Sequence, residues 1–229
     1  MRSIKLAEKD KQQLELEFPQ WGGKRAGAGR KPKGERAGVP HRTRGKLSRH
    51  HPVHVNVHLV EGLPSLRRDR EYLTLMGVFE KGCEREGFRL VHYSVQREHV
   101  HMIVEAADRE HLTRGMQGLL IRAAKALNRV WNQKGRVFRD RFFEHVLRTP
   151  REVRNALLYV LNNARRHGCR LPRDVPDRFS SGRFFDGWQD FMARVVPGLC
   201  LPIAQARTWL LTVGWRRHGG LSVAATPGT

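Results

Sequence analysis

The chain has 229 residues, with 43 Lys+Arg against 22 Asp+Glu, a formal net charge of +21 and a sequence pI near 11.2. That length allows one substantial domain with extensions, and the charge calls for a polyanionic partner, of which nucleic acid is the commonest large one. No apolar run reaches membrane-spanning length, and the opening MRSIKLAEKD lacks the apolar core of a secretion signal. Cys83, Cys169 and Cys200 are too scattered for a zinc motif or a disulfide framework, so a cytoplasmic, nucleoid-associated protein without a membrane partner is expected.

Residues 1–48 read as a basic flexible tail. From Gly22 to Arg49, 10 Lys/Arg stand against one acid, Glu35, interleaved with Gly and Pro, and such a segment buries too little apolar surface to offset its ordering entropy. Arg30, Lys31, Lys33, Arg42 and Arg44 are its candidate phosphate contacts. The piece from Gly27 to Lys33 is only vaguely like a minor-groove AT-hook, because the Arg-Gly-Arg-Pro core is missing. A phosphate-binding arm is the reading; a solubilising tail is the alternative.

His54 to Leu59 alternates apolar and polar residues and reads as a strand. A helix is expected over roughly 70–86, with Leu73, Met76 and Phe79 among its apolar positions and Gly87 ending it. Leu90 to Val95 is a second strand, joined through Gln96-Arg97-Glu98 to a third from His99 to Glu105, a hairpin. Period two places His99, His101, Ile103 and Glu105 on one face of that strand, and Val100, Met102 and Val104 on the other. Two imidazoles side by side on a rigid element are what a two-histidine metal site needs, although an isolated His-x-His is more often a pair of surface histidines. His54, His58 and His92 also fall on strands and, without a partner at ligand spacing, read as structural or phosphate-facing.

A long helix is expected over 108–131, with Leu112, Met116, Leu119, Leu120, Ala123, Leu127 and Val130 on its buried side, broken by Asn132 to Gly135. The stretch 136–147 reads as one further strand, interleaving Phe138, Phe142 and Phe143 with Arg136, Arg139, Arg141 and His145. That mixture suits single-stranded nucleic acid, and core packing of the phenylalanines equally. Thr149-Pro150-Arg151-Glu152 is a helix start with a capping box, and Gly168 is its end. Val153, Ala156, Leu157, Val160, Leu161 and Ala164 form the core stripe, while Tyr159 lies off it with Asn155, Asn162, Asn163 and Arg166. Asn163 is one turn beyond Tyr159, so phenol and amide project together; a boundary tyrosine with its hydroxyl in water is the alternative. Residues 171–229 form an extension with Phe184 to Trp188 and a short helix near Trp209 and Leu210, its tryptophans expected to pack and Arg216 and Arg217 to meet DNA.

The run from Tyr93 to Val104, followed by Tyr159-Val160-Leu161-Asn162-Asn163, resembles the single-tyrosine HUH transposases of the IS200/IS605 type and their REP-associated relatives. The resemblance covers roughly 50–170, and Glu98 stands where many relatives carry Asn. It implies an α+β fold, a ferredoxin-like antiparallel sheet with helices on one face, for a catalytic domain over 49–170. It also implies a protein that is commonly a homodimer. The expected activity is that of a metal-dependent endonuclease and strand transferase on single-stranded or hairpin DNA. Tyr159 is then the nucleophile that forms a 5′-phosphotyrosine, and His99, His101 and Asn163 hold Mg²⁺ or Mn²⁺. A non-catalytic DNA-binding protein of the same descent is the alternative. A histidine-triad hydrolase would want a third histidine where Ile103 stands, and conjugative relaxases commonly carry their tyrosine upstream of the histidines.

Overall fold

Valine alternates with histidine and asparagine in Val53–His58 (β1), so one face of this strand is apolar and the other polar. A computed structural model describes residues 44–169, 171–192 and 201–227; Arg30, Lys31, Lys33, Arg42 and Cys200 lie outside them. β1 is followed by helix α1 (Asp69–Glu80), the two-residue strand β2 (Glu84–Arg85), and the hairpin strands β3 (Phe88–Val95) and β4 (His99–Ala106). Then come α2 (Arg109–Val130), β5 (Phe143–Val146), α3 (Pro150–Leu161), α4 (Asn163–Arg166) and, in the extension, α5 (Trp209–Thr212). The strands make one sheet in the order β2-β3-β4-β1-β5, with every neighbouring pair antiparallel.

The two faces of the sheet bury different things. Val53, Val55 and Val57 of β1 join Val100, Met102 and Val104 of β4 in a core closed by α1 and α2, through Leu75, Phe79, Leu112, Met116 and Leu119. Ile103 and Val91 join a second core on the opposite face, built by α3 and the extension from Val153, Leu157, Val160, Trp188 and Trp215. The expected α+β fold with an antiparallel sheet is present, and the placement of helices differs: α1 and α2 share one face, α3 covers the other. The amphipathic stripe of α3 has no room on a face already filled by two helices, and Ile103 and Val91 supply the apolar ground it needs.

Several expected boundaries shift. The first helix ends at Glu80 rather than near residue 86, because the chain turns at Lys81 into the β2–β3 hairpin. Gly87, with φ +65°, is the corner of that hairpin and not a helix cap. Leu73 is 66 % exposed, and the buried face of α1 is instead Tyr72, Leu75, Val78 and Phe79. Of the strand expected over 136–147, only β5 pairs with β1, while Phe138 makes an isolated bridge to Leu59. Between them Arg44 lies 3.9 Å from the centre of the Phe142 ring and donates to the Phe142 carbonyl, which takes that carbonyl out of any ladder. The domain therefore begins earlier than residue 49: Arg44 pairs with Glu144 at 3.0 Å and Leu47 is buried. The DNA-facing role expected of Arg44 has to share its guanidinium with these contacts.

Candidate functional site

Register sets the site. Antiparallel pairing puts Asn56 opposite His101 and His58 opposite His99, with His54 opposite Ile103, so the polar residues of β1 and β4 fall on one face. His54 Nε2 and His101 Nδ1 are 3.1 Å apart, and the His58 ring lies 4.9 Å from that of His99. A bulge between Leu90 and His92 keeps Phe88 and Leu90 on the apolar face while returning His92 to the histidine side. His92 then bonds Ser181 at 3.2 Å and packs edge-on to Phe185, so it anchors the extension.

Helix α3 brings the phenol. The capping box is complete: Thr149 accepts from the Glu152 backbone N–H, and the Glu152 carboxylate accepts from the Thr149 N–H. Burial of Val153, Leu157, Val160 and Leu161 turns Tyr159 toward the sheet's polar face, half-buried, with its ring edge-on to His101 at 5.1 Å and to His54 at 5.7 Å. The Arg166 guanidinium lies 5.2 Å from the centre of the same ring. The helix breaks at Asn162, expected on the polar side with Tyr159 but in fact buried. Its amide donates to the Ser222 and Ala225 carbonyls at 3.0 and 2.8 Å and so ties the extension to α3. Asn163, the first residue of α4, is fully buried as well.

Tyr159, His101, His99 and His167 form a row of rings with successive centroid separations of 5.1, 4.9 and 5.3 Å. Burial, and then the neighbouring imidazoles, push His99 down to about 4 and His101 to about 2. His54 is lowered to about 4, chiefly by burial and further by His145. All three rings are therefore neutral near pH 7, the state in which an imidazole nitrogen is a metal ligand. His99 Nδ1 and both amide atoms of Asn163 are buried without a hydrogen-bond partner, and such groups call for a ligand. Among the described residues no three His, Cys, Asp or Glu side chains come together as a metal centre. Two neutral imidazoles and an amide oxygen are donor types that suit a hard to borderline divalent ion.

The other two tyrosines sit on the wrong face. Tyr93, adjacent to the histidines in sequence, is fully buried in the α1–α2 core, with its hydroxyl 3.1 Å from that of Tyr72 and 2.9 Å from the Met76 sulfur. Burial raises the pKa of both phenols.

The arginines expected to contact DNA are spread over several surfaces. Arg44, Arg136 and Arg141 line a cleft of about 710 Å³ between α2 and the loop before β5, together with Arg109. Arg139 lies 3.6 Å from Glu61. Arg166 is at the Tyr159 ring, whereas Arg216 stacks on Trp215 and pairs with Asp186 at 2.9 Å, and Arg217 lies over Trp209. Sequence reasoning missed the supporting roles of His54, His58 and His167. It also missed Glu105, whose buried carboxylate accepts from the Arg207 and Thr208 backbone N–H groups and from Arg89. The parity of His54 and His58 on an alternating strand was the available signal; pairing of β1 with β4 was needed to use it.

Residues 65–155 match the transposase family described as IS200-like, a stretch that contains His99 and His101 and ends short of Tyr159. The comparison with curated proteins found no match. Among solved structures, a REP-associated tyrosine transposase bound to a REP hairpin is similar with a TM-score of 0.50 at 19 % identity, over 62 % of this chain and 82 % of that one. The chain thus resembles the IS200-like transposases in sequence over residues 65–155, and its fold is that of a REP-associated tyrosine transposase.

Proposed function

We propose that this protein cuts and rejoins single-stranded DNA flanked by a hairpin, with Tyr159 as nucleophile and His99, His101 and Asn163 as the ligands of a divalent cation. One observation carries the reading: the half-exposed phenol of Tyr159 packs edge-on to His101, whose ring in turn meets His99, and His99 Nδ1 is buried with no partner. A REP hairpin is the bound DNA of the similar solved structure, and a net charge of +21 suits such a polyanion here. The extension and the charge are compatible with work on the nucleoid, and no helix among the described residues is long and apolar enough to cross a membrane.

The chain's own groups divide the work. Tyr159 Oη attacks the scissile phosphorus, the bond to the 3′-oxygen breaks, and the phosphate stays on the 5′ end as a phosphotyrosine ester. Rejoining reverses this with another 3′-hydroxyl, so the bond energy is retained. When bound, Mg²⁺ or Mn²⁺ supplies Lewis-acid polarisation of the phosphate. His54 holds His101 through the hydrogen bond at its Nδ1, which fixes the ring and leaves Nε2 to face the site. Arg166 brings positive charge to the ring side of Tyr159, where phosphate charge concentrates.

The test is incubation of labelled REP hairpin DNA with the protein and Mn²⁺, followed by denaturing electrophoresis and peptide mapping. A covalent adduct mapping to Tyr159 is expected. A protein that binds the hairpin and forms no adduct under any divalent metal would be the non-catalytic DNA-binding relative instead.

A further inference from the structure

Two clefts that share no lining residue meet the row of rings at opposite ends. One, of about 560 Å³, is lined by Tyr159 with His54, His145 and Asn155. The other, of about 440 Å³, is lined by His99 and His167 together with Leu63, Ser65, Arg97 and Glu98. Displacement at phosphorus is in line, so the attacking and leaving oxygens lie on opposite sides of the reacting atom. With Tyr159 at one end of the row and the phosphate over the histidines, the departing 3′-oxygen points away from Tyr159, toward His99 and His167.

We propose that the His99–His167 cleft is the subsite for the DNA strand that carries the 3′-hydroxyl. It holds the leaving strand during cleavage and the acceptor strand during rejoining. This rests on the role proposed for Tyr159. The Tyr159 O–P bond forms as the P–O3′ bond breaks, the phenolic proton goes to solvent, and the 3′-oxygen takes a proton from water as it leaves; rejoining runs the same exchange backward.

The cleft has the chemistry for this occupant. Its size lies within the range of roughly 300–1,000 Å³ that accommodates small organic ligands, enough for a terminal nucleotide. Arg97 and Glu98 are exposed on the β3–β4 turn, so a guanidinium is free to meet the next phosphate and a carboxylate to accept from base amino groups. Arg67, on the same wall, is committed to both oxygens of Asp177 at 2.7 and 2.9 Å and to the Val95 carbonyl, which leaves Arg97 as the exposed arginine of that wall. The turn is fixed from below by Gln96, whose N–H donates to the His99 carbonyl at 2.8 Å, so Arg97 can be changed without loosening the metal-ligand strand.

The experiment uses two substrates built on one REP hairpin. In the first the single strand continues through the scissile phosphate to upstream nucleotides. In the second the same 5′-phosphate is esterified to p-nitrophenol, which replaces the upstream strand and leaves as p-nitrophenolate. For Arg97→Ala the adduct-forming kcat/KM should fall about tenfold on the first substrate and stay at the wild-type value on the second. The concentration of acceptor oligonucleotide giving half-maximal rejoining should rise by a similar factor. Equal losses on both substrates, or no loss on the first, would overturn the assignment. Absence of any adduct from wild-type protein on either substrate would instead remove the nucleophile reading on which it rests.

Discussion

The two faces of the sheet are made by alternate residues of the same strands, and they do opposite jobs. On the α1–α2 face Val53, Val55, Val57, Val100, Met102 and Val104 are matched by apolar partners, the buried hydroxyls of Tyr72 and Tyr93 meet each other, and the buried Glu71 meets Trp131. On the α3 face His54, Asn56, His58, His99 and His101 stand just as close together, yet His99 Nδ1 and the Asn163 amide are left without partners. Burial is similar, since every residue of β4 is buried. The contrast between an apolar face and a face of packed imidazoles can be broken from either side.

The largest effect is expected from deleting one oxygen on each face. Tyr159→Phe should abolish the covalent adduct while leaving hairpin binding and the melting temperature near wild type, because the hydroxyl is not part of a buried pair. Tyr93→Phe should do the reverse: adduct formation per folded molecule is retained, and stability falls by about 1–2 kcal/mol as the Tyr72 hydroxyl loses its partner. Denaturant melts alongside the gel assay check both. Failure of Tyr93→Phe to form adduct would mean that the two faces are not separable.

Next in size are the proposed ligands. His99→Ala or His101→Ala should lower cleavage by about 10²-fold or more, with partial recovery in excess Mn²⁺. Neither should destabilise the fold as a core truncation does; Leu119→Ala on the other face should cost about 2–5 kcal/mol. Full cleavage by the double alanine variant in the presence of EDTA would show that no metal is held there.

The histidine face also carries a pH signature that the valine face lacks. His54, His92 and His99 are each lowered to about 4 and His101 to about 2, so in the folded state they stay neutral where an unfolded chain, near 6.5, takes up protons. Stability from these groups is complete above pH 6.5 and is lost as pH falls toward 4, because the unfolded state then binds more protons. The melting temperature of metal-free protein should therefore drop by several degrees between pH 7 and pH 5. Replacing His92, whose ring meets Ser181 and Phe185, with Gln should flatten part of that slope without touching the metal response.

How much of this is legible in the sequence follows the range of each interaction. The histidine strand, its hairpin, the capping box at Thr149 and the off-stripe Tyr159 are local patterns, and each is present in the structure. The burial of Asn162 is not legible, because it depends on an extension that returns 60 residues later to meet the helix through Ser222. Leu73 is misplaced for the same reason: a twelve-residue helix offers several apolar stripes, and only packing on α2 chooses one. Tyr93 stands six residues from His99 and reads as a credible second nucleophile. Strand parity alone would send it to the opposite face, did the bulge at Leu90 not blur the count.

The smallest effect is expected outside both faces, in the first 43 residues. The contacts of Arg44 and Leu47 place the safe cut before residue 44, since removing Arg44 would strip Glu144 and Phe142 of a partner and damage the fold. A chain starting at Thr43 should melt like the full protein and form adduct at saturating DNA, because it keeps every described residue of both cores. It loses Lys24, Arg25, Arg30, Lys31, Lys33, Arg36 and Arg42, each able to displace a condensed counterion from a phosphate. Hairpin binding should weaken, and the slope of log affinity against log salt should flatten by about 0.7–0.9 for each phosphate no longer neutralised. Arg30→Ala with Lys31→Ala in the full chain should give a fraction of that change, whatever the DNA sequence. An unchanged salt slope after truncation would confine DNA binding to the folded domain, and the arginines around α2 and Tyr159 would then have to account for all of it.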